Sequence, residues 1–417
     1  MRYFTTDTYE TKRKILNFVK KLSVRSGQVE TKFIADMIYG LLTSGSVLIC
    51  DIAEALQEEI KKINTEERLC RNLEKELSES IMDNYMELMS QQLGDSPVIL
   101  VDDSDVIKPY GKKFESMGMV RDGSSKQKTY EKGYMVTEMV GLTQKQNQPV
   151  SLFSHMHSSV EKDYKSTNAV TYAGLDGMIR VLEKRATFVF DRGYDMNDLF
   201  KFMYKKEQDF VIRIKENRKL WYKGKWYKST TLRDSRKGKI KTTVLFEGEQ
   251  KECYISHINT MITASKNPMH LVLVYGLGEV PMMLATNKEI KGKEDVIAIL
   301  RLYMSRWRVE EYFRFKKQEF DFENYRVRGL KAMNNLNTLL TYAIGFIGMI
   351  METHGKNGLT DRLIQNSKSF KEKVLFYYYQ VARGIVKTMK YARCGIEGWK
   401  KIRSNEPYQQ MTLKLIC

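Results

Sequence analysis

Hydrophobic and polar residues follow two different periods along the chain, and the period changes near residue 95. Before that point, apolar residues keep the three-to-four-residue spacing of a helix, with one interruption at Gly45. The apolar positions are Phe33, Ile34, Met37, Ile38, Leu41 and Leu42 before the interruption and Ile52, Ala55, Leu56 and Ile60 after it. This pattern predicts a helical region over 1–95, containing either a helix-turn-helix or an ordinary helical hairpin.

From Pro97 onward the pattern changes to short, continuous apolar runs, which are typical of buried strands. Two of these runs end in acidic residues, at Asp102 and at Asp191. The predicted strands are Val98 to Val101, Tyr134 to Leu142, Val150 to Phe153, Thr187 to Phe190 and Phe210 to Ile214. Helical patterns at 167–183 and 197–206 lie between them, so we predict an α/β fold with strands and helices mixed in one unit.

The α/β pattern is interrupted by residues 215–285, which are rich in β-favouring residues, and helix-like sequence returns near 293. We therefore predict an α/β domain made of 96–214 and 286–354, with a β-rich domain inserted at 215–285. Residues 355–417 are predicted to be a helical C-terminal region. The apolar run from Leu339 to Met351 is too short to cross a bilayer and predicts a buried helix.

The net charge of +18, with a pI near 9.4, points to a polyanionic partner such as nucleic acid. Two segments carry most of it: 215–241 has a net charge of +9 and 368–403 has +8. Both also contain aromatic residues, among them Trp221 and Trp226 in the first segment and Tyr378 and Trp399 in the second. Cations next to stackable rings are suited to distorted or single-stranded nucleic acid.

Several other classes of protein are disfavoured by what the sequence lacks. The first residues contain no apolar signal core, and the five cysteines form no C-x-x-C pair, so we expect reduced thiols, no zinc site and a cytoplasmic protein. A tyrosine recombinase would need an H-x-x-R box and a P-loop motor would need G-x-x-x-x-G-K, and neither motif is present.

A third acidic position carries the most information about chemistry. Tyr303, Arg306 and Lys317 stand at −7, −4 and +7 from Glu310, offsets that fall within roughly 60° of one another on a helix. The alternative is a ladder of i,i+4 ion pairs on an exposed helix. The order strand-Asp, strand-Asp, helix-Glu favours a functional site in which carboxylates hold a metal next to a phosphate.

These residues resemble the DDE transposases of bacterial insertion sequences, in the insertion-sequence-4-like branch with the signature Y-x2-R-x3-E-x6-K. The four residues around Glu310 match that signature without a gap. The first-Asp motif, D-x-[TS], is met by Asp102-Asp103-Ser104, and a D-R-x-x-D-like segment begins at Asp191. The doubled Asp leaves Asp103 as an alternative for the first position, and the D-x-S spacing favours Asp102. The resemblance covers roughly residues 30–350.

The resemblance implies an RNase H-like catalytic domain of the retroviral-integrase type, interrupted by a β-rich insertion and flanked by helical regions. It implies that Asp102, Asp191 and Glu310 are catalytic and hold Mg²⁺ or Mn²⁺, two ions in all. DNA contacts are implied for the residues Tyr303, Arg306, Lys317, Trp221, Trp226 and Arg213. One of the two Trp residues is expected to stack on a flipped base and the other to pack in the β-domain core.

The implied function is metal-dependent cleavage at transposon ends followed by strand transfer into target DNA. The implied partners are double-stranded DNA, both terminal inverted repeats and target, and a second protomer in a synaptic homodimer. The N-terminal region would bind DNA, the C-terminal region would contact DNA or dimerise, and the protein would associate with the nucleoid when bound. Two alternatives stay open, namely an inactive, domesticated DNA-binding protein and an RNase H-like nuclease that does not join strands.

Overall fold

The computed structural model describes residues 2–123, 125, 127, 129–246, 248–367, 376–392 and 394–396. The helices are α1 (Arg2–Leu22), α2 (Gln28–Ser44), α3 (Ile49–Leu56), α4 (Lys62–Leu73), α5 (Glu79–Ser90), α6 (Thr167–Leu182), α7 (Asn197–Lys205), α8 (Ser229–Asp234), α9 (Lys293–Met304), α10 (Trp307–Glu319), α11 (Leu330–Met351), α12 (Leu359–Ser367) and α13 (Tyr378–Met389). The strands are β1 (Val98–Ile107), β2 (Gly118–Arg121), β3 (Tyr130–Leu142), β4 (Pro149–His157), β5 (Thr187–Phe190), β6 (Asp209–Arg213), β7 (Lys219–Tyr222), β8 (Lys225–Lys228), β9 (Ile240–Phe246), β10 (Glu249–Ile262), β11 (Asn267–Tyr275) and β12 (Met282–Thr286).

All of these strands belong to one mixed sheet. Its order is β2-β3-β1-β5-β6-β12-β11-β10-β7-β8, with β4 paired to β3 and β9 paired to β10. Strands β1, β5 and β6 are parallel, whereas β3 runs antiparallel to β1. The chain reaches β5 from β1 through β2, β3, β4 and α6, and α7 then crosses from β5 to β6. This mixed sheet with crossing helices confirms the predicted α/β class.

Strand β1 is longer than the sequence pattern indicates. It pairs with β5 over Val98 to Val101 only, but its pairing with β3 continues to Ile107. The prediction that the strand ends at Val101 is therefore wrong, and Asp102 and Asp103 lie inside it. The apolar run stops at Val101 because only that part of β1 is covered on both sides by neighbouring strands and by helices.

The β-rich segment 215–285 is continuous with the rest of the sheet. Strand β12 pairs with β6 on one side and with β11 on the other, so the strands of this segment extend the sheet. The segment also contains a short helix, α8, so the interpretation of an all-β segment is wrong in that detail. Where one domain ends and the next begins stays a prediction.

The helical N-terminal region packs on the rest of the molecule through α2, which contacts α11, and α11 in turn packs on β4. Every residue of α2 from Phe33 to Leu42 is buried, because α1, α3, α11 and α13 surround this helix. Helix α3, which would be the second helix of a helix-turn-helix, carries Asp51 and Glu54 and no Lys or Arg. Helices α2 and α3 meet at 99°, the angle of a helix-turn-helix, but the acidic α3 is poorly suited to a DNA groove.

The predicted buried helix around 339–351 is confirmed as part of α11. Within the described ranges, no single helix is long and apolar enough to span a membrane, although α2 and α3 would pass together and are bent by 99°. Of the basic segment 368–403, residues 368–375, 393 and 397–403, including Trp399, lie outside the described residues. Tyr378 is fully buried and donates a hydrogen bond to the carbonyl of Pro149, so its ring is not a free stacking surface.

Candidate active site

The register of β1 against β5 brings two of the three acidic residues together. Val101 pairs with Phe190, and these are the last paired residues of the two parallel strands. Asp102 and Asp191 follow them directly, and neighbouring strands are about 4.8 Å apart. The two carboxylates therefore lie side by side at the carboxyl end of the sheet, where open α/β folds bind ligands.

The third carboxylate comes from the helices that follow the sheet. Helix α9 ends at Met304 and α10 begins at Trp307, so the prediction of one continuous helix through the signature is wrong. Arg306 lies in the turn between them with right-handed helical dihedral angles, which keep the two helices nearly in sequence. Tyr303 therefore sits on α9, and Glu310 on the first turns of α10.

Arg306 connects the carboxylates of the candidate site. Its guanidinium donates to Oδ2 of Asp102 at 2.8 Å and also to Oε1 of Glu310. The hydroxyl of Tyr303 donates to Oδ1 of Asp191 at 3.4 Å. Asp102, Asp191, Glu310, Tyr303 and Arg306 are thus brought together as the sequence predicts.

Burial and charge act in opposite directions at this site. Burial raises the pKa of Asp102 to about 7, with Arg306 opposing the rise and Asp191 adding to it. Burial lowers the pKa of Arg306, but the two carboxylates outweigh it, so the net shift is upward. Burial and Asp191 also raise the pKa of Tyr303. The arrangement thus keeps a permanent cation next to Asp102, whose burial disfavours its ionised form.

The second residue of the Asp doublet points to different partners. One oxygen of the Asp103 carboxylate accepts from Thr137 at 2.6 Å, and the other accepts from the hydroxyl of Tyr194 at 2.8 Å. The backbone N–H of Asp103 donates to Oδ1 of Asp102 at 3.0 Å. Because both carboxylate oxygens of Asp103 are engaged away from Arg306, this geometry favours Asp102 as the reactive member of the pair.

Lys317 does not reach the centre of the site. Its ammonium lies 3.2 Å from Glu323 and 3.7 Å from Asp105, two carboxylates outside the predicted triad. Lys317 follows Glu310 by seven residues on the same helix, α10, so the two residues share one face as predicted. The carboxylates of Glu323 and Asp105 hold the ammonium away from the triad.

A fully buried ion pair lies beneath the site, and the sequence reasoning missed it. Lys316 is 3.1 Å from Glu138, whose other partners are the hydroxyls of Ser151 and Ser154. The side chains of Lys316 and Glu138 are 1% and 0% exposed. A single Glu inside the apolar run of β3 was the available signal, because a buried charge needs a partner.

A cleft of about 560 Å³ opens next to Glu310 and is lined by residues of β6, β9 and β12 and of α9 and α10. Arg213, at the end of β6, lines it as predicted, together with Tyr303 and Arg306. Two aromatic residues in the cleft were missed, Trp307 and Phe246. Trp307 stands inside the signature itself, directly after Arg306, and that position was the available signal.

Trp221 and Trp226 lie elsewhere, on the hairpin formed by β7 and β8. They are cross-strand partners with ring centroids 5.4 Å apart, and the Lys266 ammonium lies 3.7 Å from the centroid of Trp221. Trp226 is 42% exposed and Trp221 is half-buried, so the expectation that one of them packs in the core is wrong. Trp226 lines a second cleft, whose other side chains include Lys215 and Arg218.

The donor set suits a hard divalent cation. Asp102, Asp191 and Glu310 offer only carboxylate oxygens, which Mg²⁺ and Mn²⁺ prefer. In the part of the chain that the structure describes, no three His, Cys, Asp or Glu side chains are grouped closely enough to share one ion. The reason at this site is Arg306, whose guanidinium stands between Asp102 and Glu310. The three residue types therefore fit a Mg²⁺ or Mn²⁺ site, and Arg306 separates Asp102 from Glu310.

Comparison with known proteins places this geometry in a family. The family model for the transposase DDE domain matches residues 94–345, more than half of the chain, so the chain belongs to that family. Its mixed sheet with helical regions on both sides is a transposase RNase H-like fold. No curated protein sequence matches the chain significantly. Among solved structures, the chain is similar to the piggyBac transposase synaptic complex with hairpin DNA, with a TM-score of 0.47, 10% identity and coverage of 96% of this chain and 80% of that chain.

Proposed function

We propose that this protein is an active DNA transposase that cleaves transposon ends and joins them to target DNA. The observation that carries the proposal is the adjacency of Asp102 and Asp191 at the end of the β1–β5 ladder, with Glu310 joined to Asp102 through Arg306. Family membership makes phosphoryl transfer on DNA the expected chemistry. The insertion-sequence-4-like branch is proposed on the unbroken Y-x2-R-x3-E-x6-K signature.

Asp102, Asp191 and Glu310 would hold two Mg²⁺ or Mn²⁺ ions. Such ions activate an attacking water or 3′-hydroxyl and stabilise the leaving oxygen in an in-line displacement at phosphorus. The three carboxylates repel one another, and cations nearby allow all of them to be ionised at pH 7. The raised pKa of Asp102 is consistent with a carboxyl group that requires such a cation.

The cations and the phenol of the site act on DNA phosphates in this proposal. Arg306 and Arg213 reach the cleft beside Glu310 and can each form charge-assisted hydrogen bonds to a phosphate oxygen. Tyr303 donates a further hydrogen bond. Lys317 contributes from the neighbouring position, after exchanging Asp105 or Glu323 for a phosphate.

Two aromatic surfaces serve different parts of the DNA. Trp307 lies in the cleft beside Glu310, so it is the ring suited to a base flipped out next to the cleaved phosphate. Trp226 is exposed among the cations of the basic segment 215–241 and stacks on DNA farther along the transposon end. Two ends have to be held together, so the DNA complex is a homodimer.

One assay tests the function. Purified protein is incubated with Mg²⁺ and linear DNA that carries the transposon ends, and cleaved and joined products are separated on denaturing gels. Wild-type protein is expected to give both products, whereas Asp102→Asn, Asp191→Asn and Glu310→Gln are expected to bind ends and cleave none. Cleavage without joining would support the nuclease alternative, and end binding without cleavage by wild-type protein would support the inactive DNA-binding alternative.

A further inference from the structure

The strands β2 and β3 form a two-stranded ribbon at one edge of the sheet, and one face of it is open to solvent. Met119 pairs with Lys132 and Arg121 pairs with Tyr130, and residues directly opposite each other share a face. All four side chains are exposed, while Gly118 and Val120, which alternate with them, are buried. We call the four residues Met119, Arg121, Tyr130 and Lys132 the ribbon face.

The positive charge on the ribbon face is not neutralised. Neither Arg121 nor Lys132 forms an ion pair with any residue in the described ranges. The acidic residues nearby are turned elsewhere: Glu131 lies opposite Val120 on the other face, and Asp122 accepts a hydrogen bond from the N–H of Ser125. The face therefore offers two cations, an aromatic ring and a thioether to a negatively charged partner.

The ribbon is attached firmly to the helical side of the catalytic site. The buried ammonium of Lys108, next to the ribbon, donates to the carbonyl of Tyr325 at 2.8 Å and lies over the ring of that residue. Glu115 accepts from the N–H of Leu330 at 2.6 Å, and Tyr134 donates to the carbonyl of Glu115. A backbone held in this way needs little further ordering when the surface binds, so the entropy cost of binding falls on the exposed side chains alone.

The loop after β2 also lies close to Asp105, which contacts the signature residue Lys317. A side-chain carbon added at Gly123 would come within 3.2 Å of Oδ1 of Asp105, the carboxylate that lies 3.7 Å from Lys317. In the order of strands, the ribbon stands at one end of the sheet and the β7–β8 hairpin with Trp226 at the other, and β1 and β5 lie between them. DNA that runs from the hairpin across the carboxylates therefore continues toward the ribbon.

We propose that the ribbon face binds the target duplex through its phosphates. The inference rests on the proposed function, since it assigns the transposon end to the hairpin side of the active site. DNA of any sequence has to be accepted there, and cations that bind phosphates serve this requirement because they read no bases. Tyr130 and Met119 add contact with the sugar-phosphate surface.

Target DNA is a better occupant than the donor DNA that flanks the end. The flank is covalently attached to an end that the protein already holds, so its effective concentration at the site is high without further contacts. The target is a separate molecule and needs binding energy of its own. The cations of the ribbon face, which lies beyond the end of the β1–β3 ladder, supply that energy.

The test uses pre-cleaved ends, which carry no flank, and measures strand transfer into a labelled target at several salt concentrations. We expect Arg121→Ala/Lys132→Ala to reduce strand transfer roughly fivefold to tenfold and to lower the slope of log affinity for target against log salt by about 1.8, because two phosphate contacts are lost. The charge-retaining variant Arg121→Lys/Lys132→Arg is expected to behave as wild type. Lys184→Ala/Lys291→Ala removes two exposed cations at the opposite, amino end of the strands and is expected to change neither quantity.

Three results would overturn the proposal. Unchanged transfer and salt slope in Arg121→Ala/Lys132→Ala would show that the ribbon face does not hold DNA. Normal transfer from pre-cleaved ends, together with slower cleavage of ends that keep their flank, would assign the face to the flank. Loss of the dimer on DNA would assign it to a second copy of the chain. Failure of the proposed function is recognised separately, because wild-type protein would then not join ends to target at all.

Discussion

Two ion pairs join the region of α10 to the sheet, one to β1 and the other to the neighbouring strand β3. The two pairs differ in their exposure to water. Asp102 on β1 and Glu138 on β3 are direct neighbours in the register of these strands. Asp102 is bound by Arg306 at the open cleft, where the side chains of the pair are about one-fifth exposed. Glu138 is bound by Lys316 with almost no exposure and with two serine hydroxyls as further partners.

The difference indicates separate roles for the two pairs. A buried pair that loses one member leaves an unpaired charge in the interior, so it behaves as a fixed attachment between helix and sheet. A pair at the mouth of a cleft can exchange its partner for water, an ion or a phosphate at small cost. The same kind of ion pair therefore holds α10 in place at one position and, in the proposed function, takes part in the reaction at the other.

The largest expected effect on stability tests the buried pair. Lys316→Met leaves Glu138 unpaired and is expected to lower the free energy of unfolding by about 3–5 kcal/mol, measured by urea denaturation. Lys316→Met/Glu138→Leu is expected to recover more than half of that loss. Lys317→Met, at the next position, serves as the control and is expected to change stability by less than about 1 kcal/mol. Equal losses in Lys316→Met and Lys317→Met would show that the buried pair with Glu138 stabilises the fold no more than a partly exposed ion pair does.

The next effect concerns the pair in the cleft and appears in the reaction rate. Arg306→Ala is expected to slow end cleavage about 10²- to 10³-fold, because a charged donor near the reacting phosphate is lost. Its unfolding free energy should change by about 1 kcal/mol only. Arg185→Ala removes an exposed arginine that pairs with Asp209 at the amino ends of β5 and β6, away from the cleft, and should cleave at the wild-type rate. A variant of Arg306 that unfolds readily and cleaves normally would make this pair structural as well.

A smaller effect is expected for the residues that hold the Asp doublet. Tyr194→Phe removes one hydrogen bond to Asp103 and should cost about 1 kcal/mol of stability, with cleavage slowed less than tenfold. Tyr172→Phe is the matched control, since the hydroxyl of Tyr172 is buried without a hydrogen-bond partner among the described residues. Thermal unfolding and cleavage rates of the two variants are compared. If Tyr194→Phe behaves like Tyr172→Phe, Asp103 does not depend on that hydrogen bond.

The last effect is confined to acid pH and extends the comparison to a charge cluster in the N-terminal helices. Burial opposes ionisation of Glu58, but hydrogen bonds from Thr65 and Arg68 lower the pKa of Glu58 to about 2. A carboxyl group whose pKa is lowered on folding stabilises the protein above its unfolded value near 4.5, and this contribution is lost as the pH falls toward 2. We expect the free energy of unfolding to fall by about 1–2 kcal/mol over that pH range, a value already reduced because water partly screens the charges. The measurement is urea unfolding of wild-type protein and Glu58→Gln at several pH values between about 5 and 2. The variant should lack this part of the pH dependence, and identical pH profiles would show that Glu58 does not contribute it.

Local pattern in the sequence predicted a large part of the molecule. The apolar runs located β5 and β6, the helical spacing located α6 and α7, and the spacing around Glu310 identified Tyr303 and Arg306 as its neighbours. These features depend on residues that are close along the chain. Periodicity reports which face of a short segment is buried, and it does so without knowledge of the partner.

Tertiary structure alone decided which distant residues meet. The β1–β5 register set Asp102 beside Asp191, the packing of α10 against β1 gave Lys317 the carboxylate of Asp105 as a partner, and β12 joined the predicted insertion to the main sheet. Glu138 found Lys316 across 178 residues of sequence. Contacts of this kind are selected by strand register and by the path of the chain between segments, and neither is encoded in the hydrophobic period of either segment.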